Sequence, residues 1–586
     1  MKDLRAGFIL KYKNFNDSNT NSKSEALPST FLKSAGQITK IRNPKQNNSS
    51  LVRCFEHLSA LGRLEFSQAI ARLVVLLFVL STFLWAKQKL PSPCYLLEVS
   101  SIGFPVAEKE KDAWKINELM IFNEKLYLGH GCAVVNTGPT DVIYYDLKKK
   151  KFITEFTIDD EAIYLYQIID NKLMIPGIDA TEDWDFGNFY LLTDTGWIKH
   201  RTIPNGIHVN YLASFNEKLF ASTGTFGKIG KDVEHYFGGI FCSADTGKTW
   251  TLSYATPSDD QSVYRVNALL VYKEKLYAFP FAYSGLKKEE IPEKYHVGLS
   301  EKPYSEGYYL IFNEDIFGQS DVLVYDGKRW RCEDIILKDK LCYISKPFVF
   351  KDKLVMPVLS GEYIDYLSLK HKLPDQAEKV LFSFDGKHTK KTKFKYDKII
   401  DVLVKKDFLY LLIEQDNIHY ITKTQNLKKW EYFLIPPAIE NPKSIEFNDN
   451  TFYIGTEKGN IFESIGSKPI KKLEESKDIV PKKIFGAAEL PKDSKWYWVA
   501  ISEWQHPDSL AKITAQVKFG NVIKITTENI AKISVFPPFC YLDLNRDIIL
   551  IIDNTVVYEG KIDKTNELIC TMIEENGEVM WEIEKK

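Results

Sequence analysis

The sequence predicts an all-β protein, in which a seven-bladed β-propeller is followed by a small β-sandwich and preceded by a disordered stretch and a hydrophobic signal or anchor helix. Three observations predict this fold: one hairpin phrase recurs seven times, a second hairpin phrase follows each copy, and the C-terminal region alternates apolar and polar residues. The expected domains are 1–70, a disordered tail or mis-assigned start; 71–90, the signal peptide or anchor; 110–480, the propeller; and 490–586, the sandwich.

Composition limits the class of protein. At 586 residues the chain is too long for one compact core, and an aromatic content of 13% favours β structure. The net charge is −1, and lysines are balanced by acidic residues along the chain. Because no basic stripe stands out, nucleic acid is not expected as a partner.

One strongly apolar segment interrupts the N-terminal region. Residues 1–60 are rich in Asn, Ser and Lys, which predicts disorder. Residues 73–86 read LVVLLFVLSTFLWA, whereas a helix that crosses a bilayer takes about 20 residues. The segment suits a signal-peptide core or, if uncleaved, a shallow membrane anchor; a buried helix is the alternative. Both of the first interpretations place the remaining chain outside the cytoplasm, secreted or anchored at the cell envelope.

The first repeated phrase is a hydrophobic run, a polar turn with Lys, then Leu and an aromatic residue, as in LMIFNEKLYLG and LASFNEKLFAS. Each copy predicts two short strands around a tight turn. The steps between copies are 47, 46, 57, 78, 55 and 43 residues, so the fourth repeat carries an insertion or hides a further blade. The anchor residues of the copies are Leu126, Leu173, Leu219, Leu276, Leu354, Leu409 and Phe452.

A second hairpin phrase follows each first one, as in VIYYDLKKKKFITEF and GIFCSADTGKTWTLS. Two hairpins in succession make a four-stranded antiparallel unit. A β-propeller is built from units of this kind in series.

One copy of the second phrase carries a motif: Ser243, Asp245, Gly247, Thr249 and Trp250 spell S-x-D-x-G-x-T-W. It resembles the Asp-box of the sialidase-like, BNR-repeat propellers, and the resemblance extends over residues 113–480. In such a box Asp caps the backbone of a hairpin turn, Gly takes a positive φ and Trp packs beneath the turn. The motif is structural in that family, so the resemblance implies a fold and no activity.

The C-terminal region has its own strand pattern, with turns at Gly520-Asn521, Asp553-Asn554 and Asn576-Gly577. The pattern predicts a small β-sandwich. This region resembles the β-rich tail domain of some secreted bacterial esterases and peptidases. No G-x-S-x-G motif accompanies it, so the hydrolase itself is not predicted.

Candidate ligand residues come from the repeat register. The position eleven residues before each anchor is expected to open the innermost strand, near the channel mouth. Counting back gives cationic residues in four repeats, and asparagines recur two positions later. We expect a weakly cationic mouth for an anionic or hydrogen-bonding ligand; ordinary solvated strand starts are the alternative. These mouth residues are Lys115, His208, Asn210, Arg265, Asn267 and Lys398.

The loop of the second repeat concentrates carboxylates. Asp183, Trp184 and Asp185 are ligand candidates there, because long loops on a rigid scaffold often carry function. Asp179, Asp183 and Asp185 also provide oxygen ligands at a spacing that suits calcium, the one cofactor indicated. A solvated acidic loop is the alternative interpretation.

Catalysis is not indicated. The sialidase resemblance implies three convergent arginines, but Arg201, Arg329 and Arg331 fall on or beside outer strands and only Arg265 on an inner one. Another hydrolase would need two facing carboxylates, with Glu161 and Asp183 or Asp185 as candidates.

The sequence favours a non-catalytic recognition or scaffold protein that binds a glycan or a protein on the propeller face. A glycoside hydrolase of sialidase-like fold and an accessory protein of a secreted hydrolase remain the alternatives. Of the eight cysteines, Cys332 with Cys342 or Cys540 with Cys570 are candidate disulfides, and no Cys/His spacing suggests zinc.

Overall fold

The computed structural model describes residues 90–586 except 229–233, 258–261, 301–302, 304–306, 313–320, 336–341, 362–363, 366–377, 472–482, 489–494, 508, 519–520, 564 and 576–577. The predictions of a disordered tail and of a signal or anchor helix at 73–86 fall outside the described residues. In the part of the chain described, no helix has the length and apolarity needed to span a bilayer. Its regular elements are β-strands and short 3₁₀ turns, which confirms the all-β class; the 3₁₀ turns are Lys111–Ala113, Lys288–Glu290, Glu293–Gly298 and Phe539–Tyr541.

Groups of antiparallel strands, named units 1 to 7 in chain order, succeed one another after a first strand, β1 (Cys94–Gly103), and units 6 and 7 belong to one eight-stranded sheet. Unit 1 contains β2 (Glu118–Phe122), β3 (Lys125–Gly129), β4 (Thr140–Asp146) and β5 (Lys151–Ile158). After a short β6 (Asp160–Ala162), unit 2 contains β7 (Gln167–Ile169), β8 (Lys172–Pro176), β10 (Phe186–Thr193) and β11 (Gly196–Pro204), with β9 (Ile178–Ala180) between β8 and β10. Unit 3 contains β12 (Gly206–Phe215), β13 (Lys218–Lys228), β14 (Glu234–Ser243) and β15 (Thr251–Ala255), extended by β9 and β6.

Units 4 to 6 continue the series. Unit 4 contains β16 (Ser262–Tyr272), β17 (Lys275–Lys287), β19 (Asp321–Tyr325) and β20 (Trp330–Asp334), with β18 (Tyr308–Phe312) inserted. Unit 5 contains β21 (Cys342–Ile344), β22 (Phe348–Phe350), β23 (Lys353–Ser360), β25 (Glu378–Phe384) and β26 (Thr389–Lys391), whereas β24 (Ile364–Asp365) pairs with β18. Unit 6 contains β27 (Lys398–Lys405), β28 (Phe408–Gln415), β29 (Ile418–Thr424) and β30 (Glu431–Leu434).

Unit 7 is completed from the other end of the propeller. Its strands β31 (Pro442–Asn448), β32 (Thr451–Thr456) and β33 (Ile461–Pro469) are joined by β1, which pairs antiparallel with β33 and parallel with β30. The sequence predicts a full second hairpin in this repeat and a propeller that begins at residue 110. The fourth strand instead comes from residues 94–103, so the N-terminal strand closes the sheet series of a β-propeller.

The repeated phrase folds as expected because its turn residues suit tight hairpins. Asn123 and Glu124 both have positive φ, and so do Asp449 and Asn450. Two successive positive φ values are the geometry of a type I′ turn, whose twist matches that of the flanking strands. The anchor residues that follow these turns are buried, with Leu126 at 0% and Phe452 at 4% exposure.

The C-terminal region contains two five-stranded sheets. One contains β34 (Lys483–Ala488), β37 (Ala511–Lys518), β38 (Val522–Glu528), β40 (Ile548–Ile552) and β41 (Thr555–Gly560). The other contains β35 (Lys495–Trp496), β36 (Val499–Trp504), β39 (Ile530–Val535), β42 (Leu568–Glu575) and β43 (Glu578–Lys585). Both sheets bury apolar side chains in one core, and Tyr497 packs edge-on against Phe462 of unit 7.

Candidate functional site

The loop face of the propeller is the side that carries the connections between second and third strands and between successive units. In units 1 and 2 the first kind of connection is long, at 130–139 and 177–185. In units 6 and 7 it shrinks to 416–417 and 457–460. The inner strands start at this face, and their first residues surround what we call the mouth.

His208 and Arg265 lie together at the mouth. His208 Nδ1 is 3.1 Å from Asp179 Oδ1, and Arg265 Nε is 3.4 Å from Tyr283 Oη. Gly224 makes room for both side chains, because a Cβ there would come within 1.9 Å of Arg265 Nη1 and 3.3 Å of His208 Cδ2. Two of the predicted mouth residues therefore share one site, which also contains a carboxylate.

A second cationic group occupies the mouth at units 6, 7 and 1. Burial, and then the charge of Lys443, lower the pKa of Lys398 to about 8. Burial and the same two lysines lower the pKa of His419 to about 4. Lys115 Nζ and Lys443 Nζ lie 3.7 Å and 3.5 Å from carboxylate oxygens of Glu457. Lys398, Lys443 and His419 therefore lie close together in this part of the mouth.

Asn210 and Asn267 have a different role from the one predicted. Asn210 Nδ2 donates to the Val266 carbonyl at 2.9 Å, and Asn267 Nδ2 donates to the Ser345 carbonyl at 3.0 Å. Both asparagines lie within a break in the strand register of their inner strands. Their amide donors therefore join neighbouring units.

The acidic loop of unit 2 does not form the predicted calcium site. Asp183 pairs with Arg201, Asp179 pairs with His208, and Trp184 is half-buried. Within the described ranges no three His, Cys, Asp or Glu side chains are placed to hold a metal ion. Asp179, Asp183 and Asp185 are thus separate carboxylates, because each of the first two has its own cationic partner.

The predicted carboxylate pair for hydrolysis is not formed either. Glu161 is buried, and its Oε2 accepts a 2.6 Å hydrogen bond from the Gly138 N–H. Arg201 lies in β11 and Arg331 in β20, both outer strands as predicted. Arg265 is thus the one arginine of these that reaches the mouth.

Asp401 joins three units at the centre of the propeller. Asp401 follows a break in the strand register of β27, and it is 5% exposed. Its Oδ1 accepts from Lys346 Nζ at 2.9 Å, and its Oδ2 accepts from the Ile445 N–H at 2.9 Å. Lys346 keeps 43% of its side chain accessible to solvent.

Glu446 makes the corresponding connection one unit further on. Its Oε2 accepts from the Ile121 N–H at 2.9 Å, and its Oε1 accepts from Lys405 Nζ at 2.8 Å. Glu446 therefore holds units 6, 7 and 1 together, as Asp401 holds units 5, 6 and 7.

Glu118 lies close to both carboxylates. Burial, and then the charges of Asp401 and Glu446 against that of Lys346, raise its pKa well above the usual value. Burial is the main cause that raises the pKa of Tyr211 in unit 3 to about 12, and the charge of Glu118 contributes to this shift. Glu118 thus lies close to side chains from several units at the propeller centre.

Side-chain hydrogen bonds at the inner strands form a series that returns from unit 7 to unit 1. Each bond crosses from one unit to the next. The bonds join Tyr166 to Leu128, Gln167 to Leu212, Asn210 to Val266, Asn267 to Ser345, Lys346 to Asp401, Ile445 to Asp401, and Ile121 to Glu446.

Sequence reasoning missed this polar centre because it counted to the wrong position. Glu118, Tyr211, Lys346 and Asp401 each stand eight residues before their anchor, not eleven. The available signal was a charged residue inside an otherwise apolar inner strand, as in KIIDVLVK. A buried charge in such a strand indicates a specific partner.

Asp160 is a second buried carboxyl, at 1% exposure beside the loop face. Its Oδ2 accepts from Tyr190 Oη at 2.6 Å and from Asn188 Nδ2 at 2.9 Å. Its Oδ1 and the Oδ1 of Asn188 have no partner. Burial raises the pKa of Asp160 to about 7, and a proton on its Oδ1 supplies the donor that this group of acceptors lacks.

The residues of the Asp-box-like motif form a capped turn. Asp245 Oδ1 accepts from the backbone N–H groups of Lys248 and Thr249 at 3.1 and 2.9 Å, and these bonds with those from Thr249 and Ser243 side chains hold its pKa well below the usual range. Gly247 has a φ of 89°. Trp250 packs edge-on against Phe189 of unit 2.

The predicted pairing of Cys570 with Cys540 is not formed, because Cys570 is a free thiol. The side chain of Cys342 lies outside the described residues, so its pairing with Cys332 stays a prediction. Cys570 is buried in the core of the C-terminal sheets, and this burial raises the pKa of its thiol to about 12.

Comparisons with known proteins concern the fold alone. No protein-family model matches the chain, and no curated protein sequence matches it. Similar solved structures include the β-propeller domain of the trilobed protease of Pyrococcus furiosus (11% identity, 60% of this chain, 96% of that chain, TM-score 0.34). They also include an ulvan lyase, a polysaccharide lyase (9% identity, 66% and 99%, TM-score 0.37), and the Pan2 WD40 domain of Neurospora crassa (10% identity, 66% and 99%, TM-score 0.36). Each of these TM-scores is below 0.5, and these distant similarities carry no ligand or activity over to this chain.

Proposed function

We propose that this protein is an extracytoplasmic, non-catalytic recognition propeller whose mouth binds an anionic ligand, with acidic glycans as the first class to test. In this proposal units 1 to 7 are the seven blades of one closed ring. The carrying observation is the convergence of His208 and Arg265 on Gly224. A guanidinium beside an imidazole suits a carboxylate or sulfate, because charged donors make strong and directional hydrogen bonds to such groups.

The lysines of units 6, 7 and 1 support the same ligand class. Burial, and then repulsion from Lys443, disfavour the charged form of Lys398. A bound anion relieves that repulsion. The Asp-box-like turn at 243–250 is consistent with the sialidase-like group of propellers, where the turn has a structural role.

An enzymatic alternative would use two central carboxyls, Glu118 as acid and Asp401 as base. Both oxygens of Asp401 are already held by Lys346 and the Ile445 N–H. Binding is therefore the better-supported function, and turnover of any glycoside by the purified protein would replace it. A role as accessory to a separate secreted hydrolase is compatible with the same mouth.

The double substitution Arg265→Ala/His208→Ala is expected to lower the affinity for acidic oligosaccharides by about a hundredfold, since each lost charged hydrogen bond costs roughly 1.5–3 kcal/mol. Gly224→Ala should also weaken binding, although it removes no charge, because the added Cβ displaces the guanidinium of Arg265. Calorimetric titration with oligomers of uronic acids and with neutral oligomers of equal length measures both effects.

Arg331→Ala is the matched control, because it removes one guanidinium from an exposed outer strand. It should leave the affinity unchanged. Equal affinities for wild type and the Arg265/His208 double variant would refute the proposed mouth.

Binding is also expected to weaken as pH rises through about 8. The pKa of Lys398 is lowered to about 8, so its ammonium is present below that pH and is lost above it. Lys398→Arg should bind with little dependence on pH over this interval, because a guanidinium stays charged. Affinities at pH 7 and pH 9 for the two proteins provide the measurement, and an equal pH dependence in both would exclude Lys398 from the site.

A further inference from the structure

The chain enters the propeller on the side opposite the mouth. β33 runs away from the loop face, and β1 is antiparallel to it, so Cys94 lies at the end of the sheet away from that face. This opposite side, which carries the turns between first and second and between third and fourth strands, is called the turn face. Leu90 and Cys94 are buried there in one cluster with Leu427 and Ile470.

Little chain separates this entry point from the apolar segment of the sequence. Only three residues, Lys87, Gln88 and Lys89, separate the apolar segment 73–86 from Leu90. Leu90 is 7% exposed and fixed in the core. The apolar segment therefore lies next to the entry point in the sequence.

Four lysines surround the entry point and define the exit patch: Lys428, Lys429, Lys468 and Lys471. Lys428 and Lys429 follow the buried Leu427, and Lys468 pairs with Leu96 of β1. All four are exposed, and in the described part of the chain none forms an ion pair with a carboxylate. Glu431, on the neighbouring strand, is paired with Lys423.

An exposed apolar side chain lies at the same edge. Ile465 of β33 is 49% exposed, close to the segment that pairs with the start of β1. A cluster of lysines with an exposed aliphatic residue suits the interface of a bilayer, where ammonium groups meet phosphates and the apolar group enters the headgroup layer.

We propose that the exit patch binds the anionic headgroups of a lipid bilayer, so that the turn face lies on the membrane and the mouth points away from it. Charge complementarity and the entry point of the apolar segment both support this occupant. The inference is independent of the ligand at the mouth, because the two sites lie on opposite faces.

The test compares binding of the full-length chain to vesicles of phosphatidylcholine alone and of phosphatidylcholine with an equal part of phosphatidylglycerol. The ratio of the two affinities isolates the electrostatic part, since the apolar segment contributes to both. Wild type should prefer the anionic vesicles. Substitution of all four patch lysines by Gln should reduce this preference by at least about tenfold, because each lysine near an anionic surface adds several-fold to the affinity.

The matched control replaces Lys172, Lys218, Lys248 and Lys328 by Gln, which removes the same charge from exposed positions of the turn face in units 2 to 4. The control should keep the wild-type preference, and added salt should abolish the preference in both. An unchanged ratio in the patch variant, an equal loss in the control, or tighter binding to soluble heparin than to anionic vesicles would each overturn the proposal.

Discussion

Asp401→Ala is expected to lower the free energy of unfolding of the propeller by about 3 kcal/mol. The change leaves the buried Ile445 N–H without an acceptor, which costs roughly 1–3 kcal/mol, and it removes the partner of Lys346. It also breaks the connection among units 5, 6 and 7. Denaturant unfolding followed by the propeller's aromatic fluorescence measures the effect.

Two companion variants separate the contributions. Asp401→Asn keeps an acceptor for the Ile445 N–H and should cost less than Asp401→Ala, because only the charge on the Lys346 side is lost. Asp407→Ala, at an exposed turn beyond the same strand, is the matched control and should be nearly neutral. A loss for Asp401→Ala no larger than that for Asp407→Ala would contradict a connecting role.

Asp160→Asn is expected to stabilise the protein at pH 8 and to have little effect at pH 5. Burial raises the pKa of Asp160 from its usual acidic value to about 7, so between these two values the folded protein holds a proton that the unfolded chain has released. Stability is therefore lost as pH rises from about 4 to about 7, by an amount on the order of 4 kcal/mol. An Asn at this position carries its own donor for Asn188 Oδ1 and does not titrate.

The quantity to measure is the difference in stability between variant and wild type. The raised pKa of Glu118 makes the stability of both proteins fall with rising pH, and the difference removes this shared dependence. Melting temperatures of the two proteins at half-unit intervals from pH 5 to 8 give that difference. The charged groups nearest Asp160 are Lys199, which lowers its pKa, and Asp159, which raises it. A constant difference across the interval would show that Asp160 does not titrate there.

Much of the local structure was readable from the sequence. Asn123-Glu124 and Asp449-Asn450 gave tight turns because short polar residues tolerate positive φ. The alternating runs beside them became strands, and the anchor leucines were buried. His208 and Arg265 were found from the repeat register because both open inner strands, which the register locates well.

The register failed where strand geometry departs from a strict period of two. Irregular pairing near the start of inner strands, as between Val209 and Tyr211 or between Ile399 and Asp401, changes which side chains face the centre. Asn210 and Asn267 consequently bond to the next unit, and Glu118, Lys346 and Asp401 reach the centre instead. No periodicity in one strand reports this, since the partner belongs to another unit.

The sequence by itself determined the strands, the hairpins and their serial order, because these depend on alternation and turn residues a few positions apart. Only the tertiary structure decided that residues 94–103 complete unit 7, that Asp401 and Glu446 each hold three units, and that Asp160 and Asn188 share one buried place. These contacts join residues far apart in the chain. Whether a charge there is solvated or buried, and with which partner, depends on the packing of the sheets and not on neighbours in the sequence.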